Sequence, residues 1–214
     1  MTPAARKALI VLTADDNAES ALLGLFSRCE AMGISQVSPD IFVHPHRDPG
    51  CCLEAVDFLR NFAGSYEHAL VMFDHQGCGR ENQPPSALEQ HLEQRLSRSG
   101  WEDRAEAIVI EPELDVWVWS DSPHVDAALG WRETQPKLRA WLQQAGYLRG
   151  GEAKPGRPKE ALEKALRMAR QPRSSMLYRR LAEKVSFRRC QDPAFVKLKN
   201  VLRRWFGPTG PAAV

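Results

Sequence analysis

Four short apolar runs alternate with stretches in which apolar residues recur every three or four positions, and this alternation leaves the chain few folds. The runs lie at Ala8–Thr13, Asp40–His44, His68–Phe73 and Ala107–Ile110. Between them, Ala18–Met32, Cys51–Phe62 and Ser86–Ser99 carry the helical period. Strands separated by such helices predict βαβ crossovers and a largely parallel sheet. Gly33 is placed to close the first helix, and Pro84-Pro85 followed by Ser86 to open the third.

Acidic residues stand where the predicted strands run out. Asp15, Asp16 and Glu19 follow KALIVLT, Asp74 follows HALVMF, and Glu111, Glu113 and Asp115 follow AIVI. In an open α/β sheet, ligands bind beyond the carboxyl ends of the strands, so acids distant in sequence can converge there. Gathered carboxylates are costly without a cation, and Mg²⁺ takes carboxylate and phosphate oxygens. Each acid also has a structural reading. Asp16 or Asn17 can cap the following helix, with Glu19 in its first turn. Asp74, which precedes Gly77-Cys78-Gly79, can simply turn the chain. Glu113 and Asp115 share a face only in an extended chain, whereas Glu113–Ser120 also reads as a helix entered after Pro112. Trp117, Trp119 and Trp131 read as core or interface anchors, and Asp121-Ser122-Pro123 as a turn or helix start.

The segment HPHRDPGCC, residues 44–52, leaves the second predicted strand toward the same edge. His44 there suits proton transfer and Arg47 phosphate recognition. The bland alternative is a local Arg47–Asp48 ion pair. His44, His46, Cys51 and Cys52, even with His75 and Cys78, match no standard zinc spacing. Five cysteines without a CxxC pair argue against a disulfide framework and favour a reducing cytoplasm. The amino terminus reads as a first strand, not a signal peptide, and no window is long and apolar enough to span a membrane.

Charge divides the chain. Residues 1–150 hold 13 Lys+Arg against 22 Asp+Glu, a net of −9, whereas residues 151–214 hold 16 against 5, a net of +11. The expected organisation is a Rossmann-like α/β domain over 1–150, a basic helical extension over 151–206 and a disordered tail over 207–214. After Leu138–Ala145, three amphipathic helices are predicted at Lys159–Arg170, Ser174–Val185 and Ala194–Phe206. Arg173, Arg179, Arg180, Arg188, Arg189, Arg203 and Arg204, interleaved with Tyr178, Phe187 and Trp205, would meet a nucleic-acid backbone or pack across the acidic portion.

The order of elements resembles the Toprim fold of primases, topoisomerases and OLD-type nucleases. That family holds Mg²⁺ with an acid after the first strand and an Asp-x-Asp after the third. The resemblance implies metal ligands at Glu19 or Asp15 (or Asp16) and at Asp74, whereas the second acid of the pair falls at Gln76. More narrowly, VHPHRDPG, FDHQGCG, PELDVWVWSD, WSDSPHVDAALGW, KPGRPKEAL and CQDPAF together resemble the small Toprim-related component of bacterial methylation-associated antiphage defence systems. This implies a cytoplasmic protein working beside a methyltransferase and other defence subunits. On that reading Asp74 is the principal metal ligand, helped by Asp15 or Glu19 and by Asp115, with His44 as acid/base and Arg47 on phosphate. The alternative is an inert adaptor or sensor on the same fold.

Overall fold

The computed structural model describes residues 5–120, 122–187 and 190–208. Asp121, Arg188, Arg189 and the part of the expected tail from residue 209 onward lie outside the described residues. The four strands, β1 (Lys7–Thr13), β2 (Asp40–Val43), β3 (Tyr66–Asp74) and β4 (Ala105–Ile110), form one parallel sheet in the order β2-β1-β3-β4. From β1 the chain steps outward to β2, then returns across β1 to β3. The switch point therefore falls between β1 and β3, where the acids following those strands emerge.

Side chains alternate across the sheet with period two. Leu9, Val11, Leu70, Met72, Ile108 and Ile110 enter the core on one face, and Ile10, Leu12, Val71, Phe73 and Val109 the core on the other. Burial on both faces explains why β1, β3 and β4 read as nearly continuous apolar runs, whereas the edge strand β2 is only partly buried.

Helices α1 (Asp16–Phe26) and α2 (Cys29–Met32) replace the single helix expected over Ala18–Met32. The break has a local cause. Ser27 Oγ donates to Gly24 O, and the Arg28 guanidinium donates to the carbonyls of Ala182 and Val185, drawing the chain out of helical geometry. Gly33 closes α2 in the left-handed conformation, as expected. After β2 come α3 (Arg47–Leu53) and α4 (Ala55–Leu59), so helix begins four residues before the expected Cys51. Pro49 is tolerated because the first-turn amides of a helix have no intrahelical acceptor. Helix α5 (Pro85–Leu96) leads to β4, and α6 (Pro123–Ala128) and α7 (Leu138–Gln144) follow it.

The basic segment folds as α8 (Pro158–Met168), α9 (Ser175–Lys184) and α10 (Pro193–Phe206). Its apolar stripes, including Leu162, Leu177, Leu181, Leu198 and Leu202, join the same core as β1 and β3. Helix α9 lies against α1 so closely that a Cβ on Gly24 would sit 2.6 Å from the carbonyl oxygen of Arg179. Instead of a helix over Glu113–Ser120, the chain is extended at Glu113 and makes one 3-10 turn at Leu114–Trp117. The two tryptophans there are anchors: Trp117 Nε1 donates to Asp192 Oδ1 (2.9 Å), and Trp119 Nε1 to Pro158 O (3.0 Å).

The outer side of β4 is covered by side chains. Ala107 N donates to Glu93 Oε1 (3.1 Å) and Val109 N to Glu89 Oε1 (2.9 Å), both glutamates coming from α5. Lys197 of α10 then pairs with Glu93 at 2.7 Å and with Glu89 at 3.0 Å. Among the described residues no helix is long and apolar enough to cross a membrane.

Candidate functional site

Asp74 is the last residue of β3 and points to the face shared by Met72 and Ile110. Its Oδ1 accepts from the backbone N–H of Leu114 (2.8 Å), which ties the start of the 3-10 turn to the strand end. Its own N–H donates to Asp48 Oδ1 (2.8 Å). Burial, followed by the charges of Asp48, Asp15 and Asp115, pushes the Asp74 carboxyl well above the usual carboxylate range, and the Leu114 amide only partly offsets this. Asp48 is pushed up as well, chiefly by burial and further by Asp15, with the Asp74 amide and Lys159 acting the other way. The switch point thus gathers Asp15, Asp48, Asp74 and Asp115 within electrostatic reach.

Asp15 has two roles in this arrangement. It caps α1, with Oδ1 accepting from Ala18 N (2.9 Å) and Oδ2 from Asn17 Nδ2 (3.2 Å). The cap therefore falls on Asp15 and not on Asp16 or Asn17, and its charge still acts on Asp74. Beside it, Thr13 is fully buried, and its hydroxyl finds no hydrogen-bond partner among the described residues. Thr13 pairs in register with Met72, two residues before Asp74, so both lie on one face of the sheet.

Asp48 is the residue that the sequence does not single out, its one suggested role there being the alternative of a local pair with Arg47. Arg47 instead is exposed, with φ of 51°, and its side chain makes no hydrogen bond or ion pair among the described residues. A left-handed arginine is strained. Here the turn carries Asp48 inward to the Asp74 amide while Arg47 stays in solvent.

The acids after β4 are already compensated. Asp115 is 3% exposed. It receives two hydrogen bonds from Arg173 Nη2, both 3.0 Å, and one from the Tyr178 hydroxyl at 2.8 Å. Burial still pushes its carboxyl up, against the pull of Arg173, Tyr178 and Lys159. Glu113 pairs with Lys159 Nζ at 3.3 Å. Both cations come from the basic segment, and both reach across to the acidic portion.

Two more expected residues, Glu19 and His44, lie beside this edge. Glu19 lies in the first turn of α1, and its backbone N–H donates to Asp15 O. His44 is buried and packs against Gly50, where a Cβ would come within 1.9 Å of its ring. Its Nδ1 accepts from His46 N (3.1 Å), and its Nε2 lies 3.8 Å from Glu54. Burial lowers its pKa, with Glu54 acting against that shift and His46 adding to it. His44, His46 and Glu54 do hold their donor atoms within 4.8 Å of one another. Yet a neutral ring that accepts at Nδ1 carries its proton on Nε2, so His44 offers this trio an N–H and not a lone pair. The cysteines offer no thiolates there: burial pushes Cys51 far up and Cys52 up to about 12.

The donor set at the switch point is hard oxygen, which suits Mg²⁺ better than softer metals. Asp48 and Asp74 each give one oxygen to a main-chain amide and keep the other outside those bonds. Asp48 and Asp74 can therefore offer one oxygen each to a hard divalent cation, with Asp15 at the margin because its cap bonds occupy both oxygens; these acids do not form a group of three donors within 4.8 Å, so water or phosphate oxygens would complete the shell. No protein-family model, no curated protein and no solved structure matches this chain.

Proposed function

We propose that the Asp48–Asp74 edge, with Asp15 beside it, is a Mg²⁺-dependent site acting on the phosphate of a nucleic acid or nucleotide, in a Toprim-like subunit of a bacterial antiphage defence system. The observation that carries the cation reading is the electrostatic state of Asp74. It is a partly buried carboxylate within electrostatic reach of three other acids, and among the described residues its one direct compensation is a main-chain amide. Asp74 and Asp48 would hold the ion, which supplies charge neutralisation and an activated water when bound. Arg47, exposed on the same loop, would orient a phosphate. His44 fixes the loop through Glu54 and His46. The defence assignment and the methyltransferase partner rest on the resemblance of the motifs.

Calorimetric titration with Mg²⁺ and Mn²⁺, repeated on Asp74→Asn and Asp48→Asn, tests the cation site. At about ten times Kd, binding adds roughly 1.4 kcal/mol, or about 3–5 °C in melting temperature. Heat of binding in the native chain and its loss in both variants supports the site, whereas identical responses remove it. Cleavage of labelled DNA or RNA under the same conditions then tests the chemistry.

A second reading, the inert adaptor, draws on Gln76 in place of an acid and on the internal neutralisation of Asp115. Loss of phage protection on Asp74→Asn, without any cation binding or cleavage by the native chain, would favour it.

A further inference from the structure

Most cations of the carboxyl-terminal segment are used internally. Lys159, Arg173, Lys197 and Arg204 pair with acids of the first 150 residues. Arg179 pairs within its own helix, and Arg203 donates to the carbonyl of Met32. Arg180 and Lys184 are among the cations that are not. They are exposed on α9, and neither forms an ion pair or hydrogen bond among the described residues. At i and i+4 they share one helix face, where like charges oppose each other.

Across from them stand His124 of α6 and Arg132 of the following loop. Together the four residues line a groove of about 220 Å³ between α6 and α9, floored by Ala127 and Ala128. No carboxylate lines it. Three segments of chain thus bring cationic or protonatable side chains to one concavity that, among the described residues, no carboxylate lines. Such an assembly costs electrostatic energy in the free protein and recovers it when an anion enters. The guanidinium forks of Arg132 and Arg180 match phosphate oxygens in pairs, and Lys184 adds a point charge. The volume lies below the roughly 300–1,000 Å³ of drug-sized sites, so it suits a phosphate with its adjoining sugar better than a whole cofactor.

We propose that the α6–α9 groove is a phosphate-binding site, distinct from the carboxylate edge. Its ligand is a phosphate ester, supplied either by a nucleic-acid backbone or by a small phosphorylated molecule. Tyr178 fills the carboxylate edge from a different side of α9, so the two sites stand or fall separately.

Fluorescence anisotropy with a labelled duplex DNA of about 20 base pairs, over about 50 to 200 mM salt, tests the first source, and calorimetry with pyrophosphate tests the second. The Arg180→Glu/Lys184→Glu double variant is compared with Lys164→Glu/Arg167→Glu on α8, which changes net charge equally. Melting curves confirm that both remain folded. A nucleic-acid ligand predicts at least about a tenfold loss in the α9 variant only, with the slope of log K against log salt shallower by about 2. Pyrophosphate binding lost in the α9 variant, with weak DNA binding that both variants share, assigns the groove to a small phosphorylated ligand. Equal losses of both probes in both variants, or no binding of either probe to the native protein, overturns the proposal.

Discussion

The carboxylates at the sheet edge fall into two groups that differ in where their counter-charge comes from. Asp115 and Glu113, after β4, receive Arg173, Tyr178 and Lys159 from the α8–α9 segment, more than forty residues away. Asp74 and Asp48, at the switch point, receive main-chain amides and face one another. The outer pair is also the more buried, with Asp115 and Glu113 closed off from solvent while Asp74 and Asp48 stay partly exposed. A carboxylate whose partner is written into the chain is structural. One whose partner must be recruited is a candidate for binding.

The comparison is tested most severely at Arg173. Replacing it by Ala leaves Asp115 buried with only Tyr178 and a distant Lys159. The expected loss is about 3 kcal/mol in urea unfolding, and Asp115→Asn in the same background should recover part of it. A loss under about 1 kcal/mol would mean that the outer acids are not held as described. Next comes the docking of α9, which carries Tyr178 and directly follows Arg173. Gly24→Ala forces a methyl toward the Arg179 carbonyl and should cost about 2 kcal/mol by the same measurement.

The inner group predicts the opposite sign. The Asp74 carboxyl ionises at higher pH in the native than in the unfolded chain. Between its ordinary and raised values the native state holds more protons, so this group's contribution to stability falls as pH rises through that window. Above the window the deficit persists. Asp74→Asn keeps an acceptor for Leu114 and removes the charge, so it should stabilise the cation-free protein at neutral pH by about 1 kcal/mol. The gain should shrink on acidification. Unfolding curves at several pH values check it, and a destabilised variant at neutral pH would contradict the inner site's lack of compensation. The smallest effect belongs to Glu113→Gln, under about 1 kcal/mol, because Lys159 is half exposed. Thermal melting would resolve it.

The strands were legible because parallel strands buried on both faces leave apolar runs that nothing else in the chain imitates. Helix ends were less so. The Ser27–Arg28 break depends on carbonyls of Ala182 and Val185, more than 150 residues away, which no local pattern reveals. At the edge, the positions of Asp15, Asp74 and Asp115 followed from strand ends alone. Asp48 did not, because its partner is a backbone amide and its neighbour Arg47 offered a plausible decoy. The pairing of Asp115 with Arg173 was equally hidden. Charge asymmetry left open whether the basic segment meets nucleic acid or packs across the acidic portion, and only the packing of α8 and α9 shows which acids are taken.

The glutamates of α5 that accept from Ala107 and Val109 have a consequence for assembly. They occupy the donors a further strand would need, and Lys197 locks them in place from the opposite layer. That flank of the molecule is therefore closed to sheet extension, whether by a second copy, a foreign peptide or a growing aggregate. Any partner that joins by lengthening the sheet must come to the β2 flank.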